Sequence, residues 1–245
     1  MPFLLINKPA GITSHDVVDR VRKVTGERTV GHAGTLDPFA TGLLIIGVER
    51  ESTKHLNDFL GMDKTYRATI CIGKDSTTLD PEGDVTSPPF MGESEGASEI
   101  STEALEIAIK GLTGDLQQIP PMHSAIKIGG KKLYELARKG IEIDRPPRAV
   151  TVKRFEIESN LNVRLSTPAI LPFEIQTIID CTSGTYIRAL ARDLGEALGT
   201  KAYLTALERT AIGTYSVADA ISLDALSAEN WRGLAKNLAG DTLKT

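Results

Sequence analysis

Residues 31–48 read GHAGTLDPFATGLLIIGV and join a glycine-rich loop to an apolar run. Residues 43–48 are few, apolar and rich in branched side chains, which predicts a buried strand. The twelve residues before them form a loop held against that strand, with the carboxyl group of Asp37 close to an apolar wall. Burial disfavours an ionised carboxylate unless a cation or hydrogen bonds compensate it, so Asp37 is a candidate functional group.

An ordinary turn explains the same residues without any function. An Asp-Pro pair such as Asp37-Pro38 commonly starts a turn, and glycine-rich loops are often turns alone. Composition leaves both interpretations of Asp37 open. The choice between them depends on residues elsewhere in the chain.

Bulk composition predicts a globular protein without metal or disulfides. The chain has 245 residues, of which 41% are hydrophobic and 24% charged, enough for a sizeable core. Its two cysteines, Cys71 and Cys181, are far apart, and its four histidines lack ligand-like spacing. The N-terminus has neither a basic segment nor an apolar stretch of membrane length. We therefore expect a cytoplasmic protein that binds no membrane.

Charge is distributed unevenly along the chain, although the net charge is only −4. Residues 75–109 contain nine acids and no Lys or Arg, whereas residues 127–154 contain nine Lys or Arg and three acids. A local positive face attracts phosphate even on an acidic protein. Solvated surface charge explains the basic segment equally well when that segment is considered alone.

Periodicity predicts an alternation of strands and helices. Thr13 and Asp16 have capping-box spacing at the start of a helix that Gly26 ends. Further helices are predicted over 52–60, 102–112, 131–139, 183–199 and 223–238, and strands over 3–6, 64–73, 123–128, 149–157, 173–181 and 202–215. The polar, acidic residues 80–99 are predicted to be a mobile excursion.

Six stretches together resemble the TruB family of tRNA pseudouridine synthases. They are INKPAGITSHDVV, GHAGTLDPFATGLLIIGV, DKTYRATICIG, IPPMHSAIKIGGKKLYELARKGIEI, SGTYIRALARDLGEALG and LERTAIGTY, at residues 6–18, 31–48, 63–73, 119–143, 183–199 and 207–215. They follow the family's order and cover nearly the whole chain. The GHxGTLDPxATGxL pattern is highly specific.

The resemblance implies an α+β fold, with an extended, mostly antiparallel sheet flanked by helices and a central RNA-binding cleft. It implies a single catalytic domain over 1–245 that ends in a helical extension over 216–245. Family members usually carry a C-terminal RNA-binding PUA domain, which we expect to be absent. The implied reaction is isomerisation of uridine to pseudouridine in tRNA, without cofactor or metal.

The resemblance also implies roles for individual residues. Asp37 matches the catalytic carboxylate, Arg188 the arginine that pairs with it, and Tyr66 the tyrosine that stacks on the target base. Tyr186 and Leu207 match residues that line the pocket. Without the family match, Tyr66 is interpreted as a core residue and Arg188 as surface charge.

Other matched residues concern RNA binding and loop support. His32 holds the position of a ring that fills the space left by the flipped base. Lys8 and Pro9 belong to a turn that packs beneath the catalytic loop, and Gly31 and Gly34 let its backbone approach a nucleotide closely. The basic segment becomes a phosphate-binding surface, with Lys127, Lys131 and Lys132 as its contacts.

Three functions remain to be compared. A stand-alone enzyme of this family modifies uridine 55 in the TΨC stem-loop of tRNA, and we expect this one to act as a monomer. A dyskerin-type enzyme works instead on sites chosen by a guide RNA. An RNA-binding folding helper does not depend on catalysis, although Asp37, Tyr66 and Arg188 are all present.

Overall fold

The computed structural model describes residues 1–87, 99–124, 126–158 and 169–238. Its helices are α1 (Ser14–Thr25), α2 (Glu49–Thr53), α3 (Leu56–Leu60), α4 (Thr102–Gly111), α5 (Leu133–Ala137), α6 (Ile187–Ala197) and α7 (Trp231–Leu234), with 3-10 turns at Val217–Asp219 and Leu223–Ala225. Its strands are β1 (Phe3–Lys8), β2 (Val30–His32), β3 (Thr41–Val48), β4 (Lys64–Ile72), β5 (Asp75–Ser76), β6 (Val85–Thr86), β7 (Glu99–Ile100), β8 (Gly114–Gln118), β9 (Lys127–Ile128), β10 (Lys131–Lys132), β11 (Arg148–Ile157), β12 (Ala169–Ile170), β13 (Phe173–Cys181), β14 (Ala202–Ile212), β15 (Tyr215–Ser216) and β16 (Ile221–Ser222).

The chain divides into two compact units. The first contains Met1–Arg67 together with the chain from Leu207 onward, and the second contains Ala68–Ala206. Among the residues described, no helix is both long and apolar enough to cross a membrane. The single catalytic domain over 1–245 remains a prediction.

In the first unit, β3 is the central strand. It pairs antiparallel with β1 and β2, and parallel with β14 through Glu208↔Thr41 and Arg209↔Gly42. From Gly42 to Val48 every residue of β3 is buried, because apolar clusters cover both of its faces. One cluster includes α1 side chains and Trp231, and the other includes Phe59 and Tyr215. The predicted buried strand is confirmed.

Helix α1 also forms as its sequence predicts. Thr13 and Asp16 make the reciprocal capping box, and Gly26 ends the helix in the left-handed conformation with φ of 72°. Between residues 217 and 238 the regular elements are the two 3-10 turns, β16 and α7. The remainder of the predicted 216–245 extension lies outside the described residues.

In the second unit the strand order is β4-β13-β11-β8, and β11 pairs antiparallel with both β13 and β8. The first five residues of helix α6 are buried, and the predicted apolar seam of Ile187, Leu190, Leu194 and the C-cap residue Leu198 is buried along its whole length. With strands that are mostly antiparallel and helices beside them in each unit, the predicted α+β class is confirmed.

Two local predictions in this unit are wrong. Residues 131–139 do not form one helix, because Lys131–Lys132 pairs with Lys127–Ile128 as a hairpin before the short helix α5. Gly129 and Gly130 both have positive φ, which favours a tight hairpin turn. The acidic excursion does not begin at Asp80, since β5 and β6 enclose that residue; positions 88–98 of the excursion lie outside the described residues.

Candidate active site

The loop that carries Asp37 connects β2 to β3 in the first unit. Ala33 N–H donates to the carbonyl of Ile45 at 2.9 Å, and Ala40 N–H donates to the carbonyl of Asp37 at 3.1 Å, closing a turn around Pro38. Gly34 adopts a φ of 91°, which favours glycine. Asp37 itself is half-buried. The backbone on both sides of its carboxyl group is therefore fixed.

Lys8, the last residue of β1, supports this loop through hydrogen bonds from its side chain. Its side chain is fully buried, and Nζ donates to the carbonyls of Pro9, Ile12 and Pro38 at 2.9, 2.7 and 3.1 Å. Gly11 N–H donates to the same Pro38 carbonyl at 2.9 Å. Hydrogen bonds from a charged donor are stronger than neutral ones. One ammonium group thus joins the turn after β1 to the residue that follows Asp37.

Ser14, the first residue of α1, holds the residue that precedes Asp37. Its hydroxyl accepts from Leu36 N–H at 2.8 Å and donates to the Leu36 carbonyl at 3.1 Å. Ser14 is 2% exposed, so water does not compete for these bonds. Sequence reasoning missed Ser14 because its two bonds join residues that are distant in the chain.

Arg209, on β14, binds the other end of the loop. Its Nε donates to the carbonyl of Leu43 at 2.8 Å, Nη2 to that of Gly34 at 3.1 Å and Nη1 to that of Thr35 at 3.5 Å. Its side chain also hydrogen-bonds Tyr66 on β4. Arg209 was not among the predicted site residues. The signal available in the sequence was the adjacent pair of charges, Glu208 and Arg209, inside the otherwise uncharged β14.

Tyr66 and Leu207 are buried, at 9% and 8% exposure. The Leu207 carbonyl accepts from the Thr41 hydroxyl at 3.5 Å, at the start of β3. Tyr66 presents an aromatic ring together with a hydroxyl group that can take part in proton transfer.

His32 ends β2, and Gly31 pairs with Gly47 one residue earlier. Burial lowers the pKa of His32, and the positive charge of Arg209 lowers it further, while the backbone of Gly34 acts in the opposite direction. The ring is therefore neutral at pH 7. Among the residues that the structure describes, its buried Nδ1 has no hydrogen-bond partner. The contact of the His32 ring with RNA stays a prediction.

In the second unit, Arg188 lies in the first turn of α6 and is 5% exposed. Its guanidinium forms an ion pair with Asp80 at 3.2 Å and donates to the carbonyls of Thr78 and His123 at 3.0 and 2.7 Å. Burial lowers the pKa of His123, and the Arg188 charge adds to this effect while Asp80 opposes it. The predicted pairing of Arg188 with Asp37 stays a prediction.

Asp80 is a functional candidate that sequence reasoning missed. Its carboxylate accepts from the Thr78 hydroxyl at 2.5 Å and from Glu82 N–H at 3.0 Å, and its carbonyl accepts from the Ser76 hydroxyl at 2.6 Å. The residue is 2% exposed. These bonds orient the carboxylate toward Arg188. Because Asp80 lies in an acidic stretch of the sequence, nothing in that stretch distinguishes it as a buried residue.

The backbone of Tyr186 is held by one buried side chain. Gln118 Oε1 accepts from Tyr186 N–H at 2.8 Å, and Nε2 donates to the Tyr186 carbonyl at 3.1 Å. The two bonds fix the residue that immediately precedes α6, and they therefore fix the start of the helix that carries Arg188. Gln118 lies at the end of β8, a strand that sequence analysis did not predict.

The three predicted lysine contacts lie on the β9–β10 hairpin. Lys127 and Lys131 are exposed, whereas Lys132 is half-buried and donates to the Tyr134 hydroxyl at 3.1 Å. Arg138 lies over the Tyr134 ring at 5.4 Å. Within the described parts of the chain, no group of His, Cys, Asp and Glu could hold a metal ion.

Each unit thus holds its own set of candidate functional groups. The first gathers Asp37, Tyr66 and His32 with the supporting Lys8 and Arg209. The second gathers Tyr186 and Arg188 with Asp80 and Gln118, and it carries the lysine hairpin.

Comparison with known proteins identifies the family. The model of the TruB family pseudouridylate synthase N-terminal domain matches residues 22–187, and that of the tRNA pseudouridylate synthase B C-terminal domain matches residues 188–241. The tRNA pseudouridine synthase B of Mycolicibacterium paratuberculosis is 45% identical over 92% of this chain and 72% of its own length. That of an Arthrobacter species is 44% identical over 93% of this chain and 71% of its own length.

Solved structures show the same fold. A Cbf5–Nop10–Gar1 complex matches with a TM-score of 0.67 at 23% identity, over 96% of this chain and 59% of that one. An archaeal box H/ACA Nop10–Cbf5 complex matches with a TM-score of 0.63 at 21% identity, over 94% of this chain and 54% of that one. This chain therefore spans little more than half of those solved chains. It belongs to the TruB family, and its class of enzyme is the tRNA pseudouridine synthases.

Proposed function

We propose that this protein isomerises uridine 55 in the TΨC stem-loop of tRNA to pseudouridine, with Asp37 as its catalytic carboxylate. One observation carries the proposal. Lys8, Ser14 and Arg209 bind backbone groups at Pro38, Leu36, Thr35 and Gly34, so the chain is fixed on both sides of Asp37. Catalytic groups need such precise placement, and a solvent-exposed turn does not.

Isomerisation requires one bond to break and another to form. The bond between N1 of the base and C1′ of the sugar breaks, the base turns, and C5 bonds to C1′. The proton on C5 then leaves to water, and N1 takes up a proton from water. Asp37 acts on the sugar, either by attacking C1′ or by a glycal-type route. No net oxidation or hydrolysis occurs, so the reaction needs neither cofactor nor metal.

The remaining site residues bind the RNA or balance the charge of Asp37. Tyr66 stacks on the target base, since an aromatic face accepts any base and its hydroxyl can move a proton. Arg188 serves as counter-ion to Asp37, and Tyr186 and Leu207 line the pocket. His32 occupies the space left by the flipped base, whose extrusion costs a few kcal/mol. Lys127, Lys131 and Lys132 contact phosphates.

We also propose the setting in which this chemistry takes place. The substrate is tRNA, the location is the cytoplasm, and the protein works as a monomer without a guide RNA. The relatives at about 45% identity are named tRNA pseudouridine synthase B, which supports the stand-alone type of enzyme over the guided type.

Tritium release from 5-tritiated uridine in a tRNA transcript tests the proposal. We expect wild-type protein to release tritium and Asp37→Asn to release none, since the amide cannot act on the sugar. Asp58→Asn is the matched control, because Asp58 is a 46% exposed carboxylate in the same unit. It should retain full activity.

A transcript with cytidine at position 55 tests the site of modification. We expect no tritium release from that transcript, and release from it would overturn the assignment of position 55. If wild type and Asp37→Asn both bind tRNA and neither releases tritium, the protein is a folding helper instead.

A further inference from the structure

Arg209 is a buried charge that takes no part in the chemical steps of the proposed reaction, although it is one of the residues that bind the Asp37 loop. It is 1% exposed and is the largest side chain among those that are fully buried. In the described portion of the chain its partners are carbonyl oxygens and Tyr66, and no carboxylate lies within ion-pair distance. Burial lowers the pKa of its guanidinium, while Tyr66 acts in the opposite direction. The group nevertheless stays charged, because an arginine titrates far above neutral pH.

Packing alone does not explain this choice of residue. A buried charge is costly, and an apolar side chain of similar volume in its place is often neutral or stabilising. Arginine differs from an apolar residue, and from lysine, in its planar fork of five donors. Here the fork contacts Leu43, Gly34, Thr35 and Tyr66 at once.

The backbone from which this fork extends is itself fixed against β3. Arg209 is the register partner of Gly42, whose φ is 104°. A Cβ atom at position 42 would lie 2.3 Å from the Arg209 carbonyl oxygen, so the two strands approach as closely as only glycine permits. The guanidinium therefore extends to the loop from a backbone position that is held in place against β3.

We propose that Arg209 is a positioning residue, which sets the Asp37 loop and the Tyr66 side chain relative to each other through one guanidinium. This inference rests on the proposed function. Thr35 lies two residues before Asp37, so a shift of its carbonyl moves the carboxylate. The Tyr66 side chain, which hydrogen-bonds the same guanidinium, shifts when the guanidinium shifts. A misplacement of about 1 Å in a catalytic group can cost on the order of 100-fold in rate.

Two substitutions test the role, Arg209→Lys and Arg209→Gln. Lysine keeps the charge but cannot reach four partners, and glutamine removes the charge and its burial cost. We expect either variant to lower kcat for tritium release by about 10- to 100-fold. KM and the Kd for tRNA should change less than about threefold, because the Arg209 side chain is only 1% exposed. Arg67→Lys is the control, since Arg67 is exposed and pairs with Glu208 in the same unit.

Tyr66→Phe, alone and combined with Arg209→Lys, separates positioning from simple structural support. Arg209→Lys lowers kcat by one factor in the wild-type background and by another in the Tyr66→Phe background. If Arg209 acts through the Tyr66 hydroxyl, the second factor should be clearly smaller than the first. Circular dichroism and urea unfolding establish the folded fraction at the assay temperature.

Several results would overturn the inference. One is a folded Arg209→Lys protein whose kcat equals that of the Arg67→Lys control, and another is a loss of tRNA affinity without a loss of kcat. The others are effects of Arg209→Lys and Tyr66→Phe on kcat that multiply fully, and unfolding of both position-209 variants. Each of them presupposes an active wild type. Absence of tritium release by wild type contradicts the proposed function instead, so the two failures are distinguishable.

Discussion

Single residues fix the candidate site mainly through backbone contacts. Lys8 and Arg209 donate to carbonyls of the Asp37 loop, and Ser14 binds both backbone groups of Leu36. A buried carbonyl that loses its donor carries a desolvation cost of about 1–3 kcal/mol. These residues therefore couple the stability of the fold to the geometry of the loop.

Replacement of Lys8 tests that coupling. Lys8→Met keeps the length and burial of the side chain but leaves the carbonyls of Pro9, Ile12 and Pro38 without the ammonium donor. We expect the free energy of unfolding to fall by about 3 kcal/mol, measured by urea titration. Lys54→Met, at an exposed position, is the control. A loss no larger than that of the control would show that Lys8 does not support the loop.

His32 gives the first unit a pH dependence. Its pKa in the folded protein lies below the ordinary 6.5 because of burial and the charge of Arg209. The unfolded chain therefore binds a proton near pH 6.5, whereas the folded protein binds it only at lower pH. Stability is fully present above pH 6.5 and declines as the pH falls through the folded pKa. His123 adds to this decline in the same direction.

Urea unfolding of wild type and His32→Gln between pH 7.5 and 5 measures this effect. We expect the wild-type free energy of unfolding to fall more steeply below pH 6.5 than that of the variant. His55→Gln, at a side chain that is 45% exposed and that is not among the groups that shift the His32 pKa, should keep the wild-type slope. Equal slopes for wild type and His32→Gln contradict the assignment.

At the scale of elements, helix α6 itself was predictable from the sequence, but the contacts that fix its first turn were not. Its apolar seam is local, and periodicity over 183–199 predicted the helix. Its starting residue is set by Gln118, a distant residue on a strand that periodicity did not reveal. The buried Asp80 beside Arg188 was likewise hidden, because ion pairs between distant segments leave no local pattern. Fold was therefore more predictable than the supports of the site.

Gln118→Leu tests whether that support matters for activity. The change removes the two side-chain hydrogen bonds to the N–H and carbonyl of Tyr186, which should lower the free energy of unfolding by about 2 kcal/mol. Because the start of α6 carries both Tyr186 and Arg188, we expect kcat for tritium release to fall by about tenfold. Gln117→Leu, at the exposed neighbouring position, is the control. Unchanged kcat in a folded Gln118→Leu protein contradicts this role for Gln118.

At the scale of the whole molecule, an acidic protein carries a basic hairpin. The net charge is −4, yet Lys127 and Lys131 are exposed on β9 and β10. Local positive charge attracts phosphates, and the counterions thereby released make binding depend on salt. We therefore assign the electrostatic part of tRNA binding to this hairpin.

Salt titration of tRNA binding measures that contribution. For the double variant Lys127→Ala with Lys131→Ala, the slope of log K against log salt concentration should fall in magnitude by about 2. Lys23→Ala with Lys54→Ala, at two exposed positions of the first unit, provides the control and should leave the slope unchanged. Equal slopes for wild type and the hairpin variant would place the phosphate contacts elsewhere.

Identification of the modified nucleotide is the most direct test of the central claim. A tRNA transcript incubated with protein is treated with a carbodiimide that labels pseudouridine and is then mapped by reverse transcription. We predict a single new stop, at the label on position 55, with wild type and with Asp58→Asn, and none with Asp37→Asn. A stop at another position, or the same stop with Asp37→Asn, contradicts the account.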